Sequence, residues 1–77
     1  SGLVRAPMHG KVLAVLVGQG ERINRGQRVA IIEAMKMEHT LVSPIDGIVA
    51  EILVSVDAQV GEGAKMMQIA PTQEENA

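Results

Sequence analysis

The length, composition and charge of this chain exclude several classes of function. Its 77 residues carry a formal net charge of −2, contain no Phe, Tyr, Trp or Cys, and are 47% hydrophobic. One small domain is therefore expected, with a core of aliphatic residues and Met and with neither disulfides nor thiolate metal sites. The absence of a basic run argues against nucleic-acid or anionic-membrane partners, and no apolar run approaches the roughly 20 residues of a membrane span.

The chain repeats itself at an offset of 37 residues. Between residues 7 and 69 the repeat has seven identities, all at Pro, Gly or aliphatic positions that set turns and cores. These pairs are Pro7/Pro44, Gly10/Gly47, Val12/Val49, Leu16/Leu53, Val17/Val54, Gly26/Gly63 and Ile32/Ile69. Repetition at a fixed offset indicates two copies of one structural unit. We therefore predict two small β units related by a pseudo-twofold axis.

Each copy is predicted to contain the same succession of turns and short strands. Turns at residues 6–10 and 43–47 precede the longest strands, which are predicted at residues 11–17 and 48–54. Apolar residues in these two strands are spaced by three and then by two, which predicts a bulge or a corner in both, as a small closed sheet needs.

The end of each copy is also predicted to be alike. Gly26 and Gly63 are expected to adopt positive φ in tight turns, and the last strands are predicted at residues 28–34 and 65–70.

The overall pattern predicts an all-β sandwich or barrel. No segment of ten or more residues shows helical spacing of apolar positions, β-branched residues dominate, and glycine turns recur at regular intervals. We interpret residues 1–2 as a remnant of an expression vector, residues 3–70 as the domain and residues 71–77 as a flexible tail.

The centre of the chain departs from ordinary turn chemistry. The apolar run at residues 29–32 and the run that ends in Thr40, Leu41 and Val42 predict a hairpin with Lys36 at its tip. Hairpin turns favour Gly, Asn and Asp because these residues tolerate positive φ, yet Met35, Lys36 and Met37 occupy this turn. A functional constraint is expected at such a departure. Because Lys36 links the two copies, we predict that its amine is exposed on the pseudo-twofold axis.

The run Glu33-Ala34-Met35-Lys36-Met37 resembles the biotinylation motif of biotin carboxyl carrier domains. The resemblance extends from about Val4 to Ala70. It implies a flattened barrel-sandwich hybrid of two four-stranded antiparallel sheets with pseudo-twofold symmetry. It also implies that biotin is the cofactor and is joined to Lys36 by an amide bond. The residues that partner enzymes are expected to recognise are Glu33, Ala34, Met35, Met37 and Glu38, with the flexible thioethers suited to more than one partner.

A finer resemblance concerns the type of carboxylase. The residues from Met37 to Thr40, followed by Ser43-Pro44, are similar to the carrier domain at the C-terminal end of acyl-CoA carboxylase biotin-bearing subunits of the methylcrotonyl-CoA or geranyl-CoA type. Some bacterial acetyl-CoA carboxylase carriers have an inserted thumb between the second and third strands. The short connection from Val17 to Ile23 leaves no room for a thumb.

The resemblance implies a carrier that contributes no catalytic group to a multi-component biotin-dependent carboxylase, itself a ligase. A biotin protein ligase would acylate the amine of Lys36. Biotin would then carry a carboxyl group from a biotin carboxylase domain, which uses ATP and bicarbonate, to a carboxyltransferase subunit that acts on an acyl-CoA. The expected location is the cytoplasm in a bacterium or the mitochondrial matrix in a eukaryote. No metal site is expected, because His9 and His39 lack further fitting ligands.

Two alternative functions remain open at this stage. A lipoyl domain also carries a lysine at a hairpin tip, but usually has Asp before it, where this chain has Met35. A structural barrel-sandwich module, as in membrane-fusion adaptor proteins, has no modified lysine and no need of the Ala-Met-Lys-Met tip. The mass of the intact protein after treatment with ligase, ATP and biotin separates the three.

Overall fold

A computed structural model describes residues 2–72 and shows an all-β protein. The strands of the described chain are β1 (Leu3–Arg5), β2 (Gly10–Val15), β3 (Arg22–Ile23), β4 (Arg28–Ala34), β5 (Met37–Val42), β6 (Gly47–Ile52), β7 (Gln59–Val60) and β8 (Lys65–Pro71). They form two antiparallel four-stranded sheets, in the orders β1-β8-β6-β3 and β5-β4-β2-β7. The predicted fold class is confirmed. No helix long and apolar enough to cross a membrane occurs among these residues.

The internal repeat of the sequence is a repeat of the fold. The strands β2, β3 and β4 start and end 37 residues before β6, β7 and β8, and exchanging each strand for its counterpart converts one sheet order into the other. Hydrogen bonds repeat as well: the Val12 N–H donates to the Ala58 carbonyl and the Val49 N–H to the Glu21 carbonyl, both at 2.9 Å. The predicted pseudo-twofold symmetry is therefore confirmed.

The strands β2 and β6, predicted to be the longest, have six residues each and are shorter than β4 and β8, which have seven. They bend where their apolar spacing breaks. The pairing register shifts between Val12 and Ala14 in β2 and between Val49 and Glu51 in β6. This confirms the predicted bulges, which bend a strand and strengthen its twist. Both strands end two residues earlier than predicted, because the chain turns a corner after the bulge; Val17 still packs in the core from that corner.

The turns that precede β4 and β8 depend on glycine. Gly26 and Gly63 have φ of 86° and 82°, as predicted from their places in the two copies. A residue with a Cβ adopts this conformation only with strain. Each turn returns the chain to its sheet in the same way: the Gly26 N–H donates to the Ser43 carbonyl, and the Gly63 N–H to the Ala6 carbonyl.

The core between the sheets is built from aliphatic residues and methionine alone. Its largest fully buried hydrophobic side chains are Ile23, Ile32, Met66, Met67, Ile69, Val12, Val29 and Val49. Burying a side chain of this size contributes about 1.5–3 kcal/mol. Regular aliphatic layers from both copies thus replace the aromatic residues that the sequence lacks.

The ends of the described chain pack against the sheet. Gly2 is buried, and its carbonyl accepts a hydrogen bond of 2.8 Å from the Ile69 N–H. The last strand reaches Pro71, one residue beyond its predicted end, where Pro71 pairs with Gly47, and Thr72 is buried. Ser1 and residues 73–77, the rest of the predicted remnant and tail, lie outside the described residues.

A shallow groove of about 310 Å³ lies between β1 and β5 and locates the symmetry axis. Its lining consists of four residues of one copy and their counterparts 37 positions later: Leu3/Thr40, Val4/Leu41, Arg5/Val42 and Pro7/Pro44. Residues beside a twofold axis lie close to their own counterparts, so the axis passes through this groove.

The prediction that Lys36 lies on this axis is therefore wrong. Ala34, which precedes the lysine turn, lies beside Gly10, whereas its counterpart Pro71 pairs with Gly47 in the other sheet, so this end of the hairpin does not lie beside its own counterpart. Lys36 is near the middle of the sequence but not near the pseudo-twofold axis, because β5 runs back along the whole length of β4.

Candidate functional site

The tip of the β4–β5 hairpin is a two-residue turn made of Met35 and Lys36. Ala34 pairs with Met37 at its base, and φ is 54° at Met35 and 65° at Lys36. Positive φ at both central residues is the signature of a type I′ turn, whose twist matches that of the flanking strands. This conformation costs roughly 1–2 kcal/mol for each residue that has a Cβ. The backbone conformation of this turn favours Asn-Gly, yet Met35 and Lys36 occupy its two central positions.

The amine of Lys36 is available to an enzyme. The side chain is exposed, and within residues 2–72 it takes part in no ion pair or hydrogen bond. An unpaired amine at the end of a two-stranded ladder is sterically open to acylation and has no interaction to give up. The site therefore fits a cofactor that attaches through its own carboxyl group, as biotin does.

The methionines beside Lys36 are on the surface. Met35 is 84% exposed and Met37 is 62% exposed, whereas Met66 and Met67 are completely buried. The sequence predicts exposed methionines at a hairpin tip and core or barrel-end positions for Met66 and Met67, and the exposures confirm both predictions. The tip thus exposes one large apolar side chain on each side of Lys36.

Ala34 supports the tip from beneath. It is only 4% exposed, so its methyl group is not available for the direct recognition that the motif suggested. A Cβ added to Gly10 would lie 3.2 Å from the Ala34 Cβ and 2.5 Å from the Glu33 carbonyl oxygen. Small residues at positions 10 and 34 therefore allow β2 to approach the base of the hairpin, and the alanine of the motif is explained by packing.

Two carboxylates face each other just behind the tip. Glu33 and Glu38 are exposed and are directly opposite in the β4–β5 ladder, an arrangement in which like charges repel. Lys11 lies opposite Glu33 on the other side, but its amine pairs with Asp57 at 3.7 Å. Among the described residues no ion pair neutralises either glutamate, so the tip has an acidic border.

His39 has a structural place that its sequence neighbours did not reveal. The sequence predicts a surface residue at a polar rim, yet the side chain is half-buried, and its Nε2 lies 3.3 Å from the carbonyl oxygen of Ala34, five residues earlier. With Nε2 protonated, the ring donates to that oxygen and braces the base of the turn. Strand alternation places residues 37 and 39 on one face, and the pairing of Ala34 with Met37 puts Ala34 on the same face. No cluster of His, Asp and Glu able to hold a metal is found within residues 2–72.

Comparison with known proteins identifies the family. The family model described as biotin-requiring enzyme matches residues 2–69. The chain is 41% identical over 68 residues to the biotin carboxyl carrier protein of acetyl-CoA carboxylase from Solanum lycopersicum, covering 88% of this chain and 97% of that protein. It is 37% identical over 68 residues to the mitochondrial methylcrotonoyl-CoA carboxylase subunit alpha of Arabidopsis thaliana, covering 88% of this chain but 9% of that subunit.

A solved structure supports the same assignment. The structure of a single-chain, multi-domain long-chain acyl-CoA carboxylase superimposes with a TM-score of 0.85 and 28% identity, covering 97% of this chain and 8% of the carboxylase chain. The large carboxylases thus contain a small domain with this fold. The chain belongs to the biotin-requiring enzyme family and is a biotin carboxyl carrier domain, with biotin as its cofactor.

Proposed function

We propose that Lys36 is the residue that carries biotin. The observation that supports this is the exposed amine, unpaired among the described residues, at the tip of a type I′ turn and flanked by exposed methionines. A biotin protein ligase forms the amide bond between Nζ and the carboxyl carbon of biotin. The acyl–phosphate bond of biotinyl-adenylate breaks, AMP leaves, and the amine gives up a proton. The positive charge at the tip disappears in this step.

The role of the domain is then to hold and present the cofactor. Bound biotin supplies a ureido nitrogen that accepts a carboxyl group and releases it. The lysine stem provides reach, while the β4–β5 ladder gives the arm a rigid base. Tethering raises the effective concentration of the arm at each active site. The domain itself contributes no catalytic group.

The partners that we propose are a biotin protein ligase, a biotin carboxylase domain and a carboxyltransferase subunit, within a carboxylase of the ligase class. The substrate of that carboxylase is an acyl-CoA, because similar proteins are named as acetyl-CoA and methylcrotonoyl-CoA carboxylase components. Their near-equal identities do not select one acyl group; the Met37-Glu38-His39-Thr40 run favours the methylcrotonyl-CoA or geranyl-CoA type.

The cellular location that we propose depends on the kind of organism that makes the protein. It is the mitochondrial matrix in a eukaryote, in keeping with the Arabidopsis relative, which is named as mitochondrial, and the cytoplasm in a bacterium. Neither nucleic acid nor a membrane is a partner in this proposal.

The test compares lysine variants in the presence of ligase, ATP and biotin. We expect the mass of the wild-type domain to rise by one biotinyl group and that of Lys36→Arg to stay unchanged, since a guanidinium is not acylated. Lys65→Arg, which changes an exposed lysine away from the tip, serves as the matched control and should be modified at the wild-type rate. Biotin on Lys36→Arg, or none on the wild type, would overturn the proposal.

A further inference from the structure

The five methionines of the chain fall into groups that differ sharply in access to solvent. Met35 and Met37 are 84% and 62% exposed, Met66 and Met67 are fully buried, and Met8 is half-buried against the core. An oxidant in solution can therefore reach the two sulfur atoms beside Lys36, whereas the surrounding core shields those of Met66 and Met67.

We propose that Met35 and Met37 are sites of reversible oxidation by peroxides, and that their oxidation reduces the acceptance of the domain by the biotin-attaching enzyme. In each step a sulfur lone pair attacks one oxygen of hydrogen peroxide, the O–O bond breaks, and the other oxygen leaves as water after taking the proton of the oxygen that is now bonded to sulfur. The thioether is oxidised to a sulfoxide and the peroxide is reduced. The step needs no catalytic group, so access decides which methionine reacts first.

The chemical change is concentrated on the surface that the ligase must contact. A sulfoxide replaces a flexible apolar thioether by a polar, chiral group. A partner pocket that fits methionine has no hydrogen-bond donor for the sulfoxide oxygen. Removing water from that oxygen then has a free-energy cost that corresponds to a loss of about tenfold or more in kcat/KM. This second half of the proposal rests on the proposed function of Lys36.

The fold is expected to tolerate the change. Both tip sulfurs lie outside the buried core cluster, whose methionines are Met66 and Met67. The backbone of the turn is held by the pairing of Ala34 with Met37 and not by either thioether. Thermal unfolding followed by circular dichroism should therefore change little after oxidation of the tip alone. Methionine sulfoxide reductases, which act on each sulfoxide epimer, can reverse the change.

The first measurement is peptide mass spectrometry after brief treatment with hydrogen peroxide. We expect sulfoxide at Met35 first and Met37 second, both well before Met8, Met66 and Met67. Equal rates at tip and core methionines would overturn the first half of the proposal.

The second measurement is the rate of biotin attachment before and after peroxide. We expect a loss of about tenfold or more for the wild type, and recovery after treatment with both types of sulfoxide reductase. For the double variant Met35→Leu/Met37→Leu, the rate after peroxide is compared with the rate of the same variant before peroxide, and we expect no change. An oxidised wild type with an undiminished rate would overturn the second half. If the untreated wild type takes no biotin at all, the proposed function and this second half fall together, while the peptide map still decides the first half.

Discussion

The residues at the tip do not stabilise the turn that they form. Met35 and Lys36 occupy positive φ, where glycine or asparagine would be more stable. Met35 is also the most exposed large hydrophobic residue in the described part of the chain. A solvent-exposed apolar residue in a strained turn contributes little to folding, which agrees with the proposed role of Met35 in contacts with partner enzymes.

Met35→Asn tests this account at the residue scale. Asn tolerates the left-handed region and suits the first central position of a type I′ turn, so we expect a gain of about 1 kcal/mol in the free energy of unfolding. Biotin attachment should slow at the same time. Met37→Asn is the matched control, because Met37 is not at positive φ and no gain is expected there. Urea unfolding of both variants decides the point; equal stabilities would contradict the strain argument.

At the scale of elements, close approach of β2 to β4 shapes the base of the hairpin. A Cβ added to Gly10 would clash with the Glu33 carbonyl oxygen, and one added to its counterpart Gly47 would clash more severely with the Ala70 carbonyl oxygen in the other sheet. The same packing device thus occurs twice, but only one copy supports a lysine tip. This gives the molecule an internal control for any change that disturbs the hairpin.

Gly10→Ala and Gly47→Ala should therefore separate folding from function. Each added Cβ meets backbone, so each variant should lose roughly 1–3 kcal/mol of stability. Only Gly10→Ala displaces β4 beneath Lys36, and we expect a slower rate of biotin attachment for it alone, measured below the melting temperature of both variants. Equal rates in the two variants would show that the base of the hairpin does not position the lysine.

At the scale of the whole molecule, the two copies are interlocked. The sheet containing β6 and β8 takes β3 from the first copy as an edge strand, and the sheet containing β2 and β4 takes β7 from the second. Neither copy can complete a sheet or cover its core face alone. A single cooperative unit follows, and it holds the tip rigid although every strand is short.

A fragment of residues 2–42 should consequently be unfolded. It contains the lysine hairpin but lacks β6, β7 and β8, and with them the opposing core residues Val49, Met66, Met67 and Ile69. We expect a random-coil circular dichroism spectrum and no cooperative thermal transition. A cooperative transition in the isolated fragment would show that one copy folds without the other.

The sequence by itself determined the features that depend on local chemistry. Strand periodicity and turn glycines predicted an all-β fold, the repeat predicted its symmetry, and broken alternation predicted both bulges. The hairpin with Lys36 between exposed methionines followed from an apolar run on either side of an unusual turn. These signals are carried by neighbouring residues, or by an exact offset that is visible in the chain.

Only the tertiary structure decided how distant segments meet. The exchange of edge strands, the position of the axis between β1 and β5, the burial of Ala34 under the tip and the contact of His39 with the Ala34 carbonyl all depend on cross-strand register. Register arises from the packing of both sheets over one core, because a shift of one residue would move every side chain to the opposite face. No single segment of the sequence contains that information.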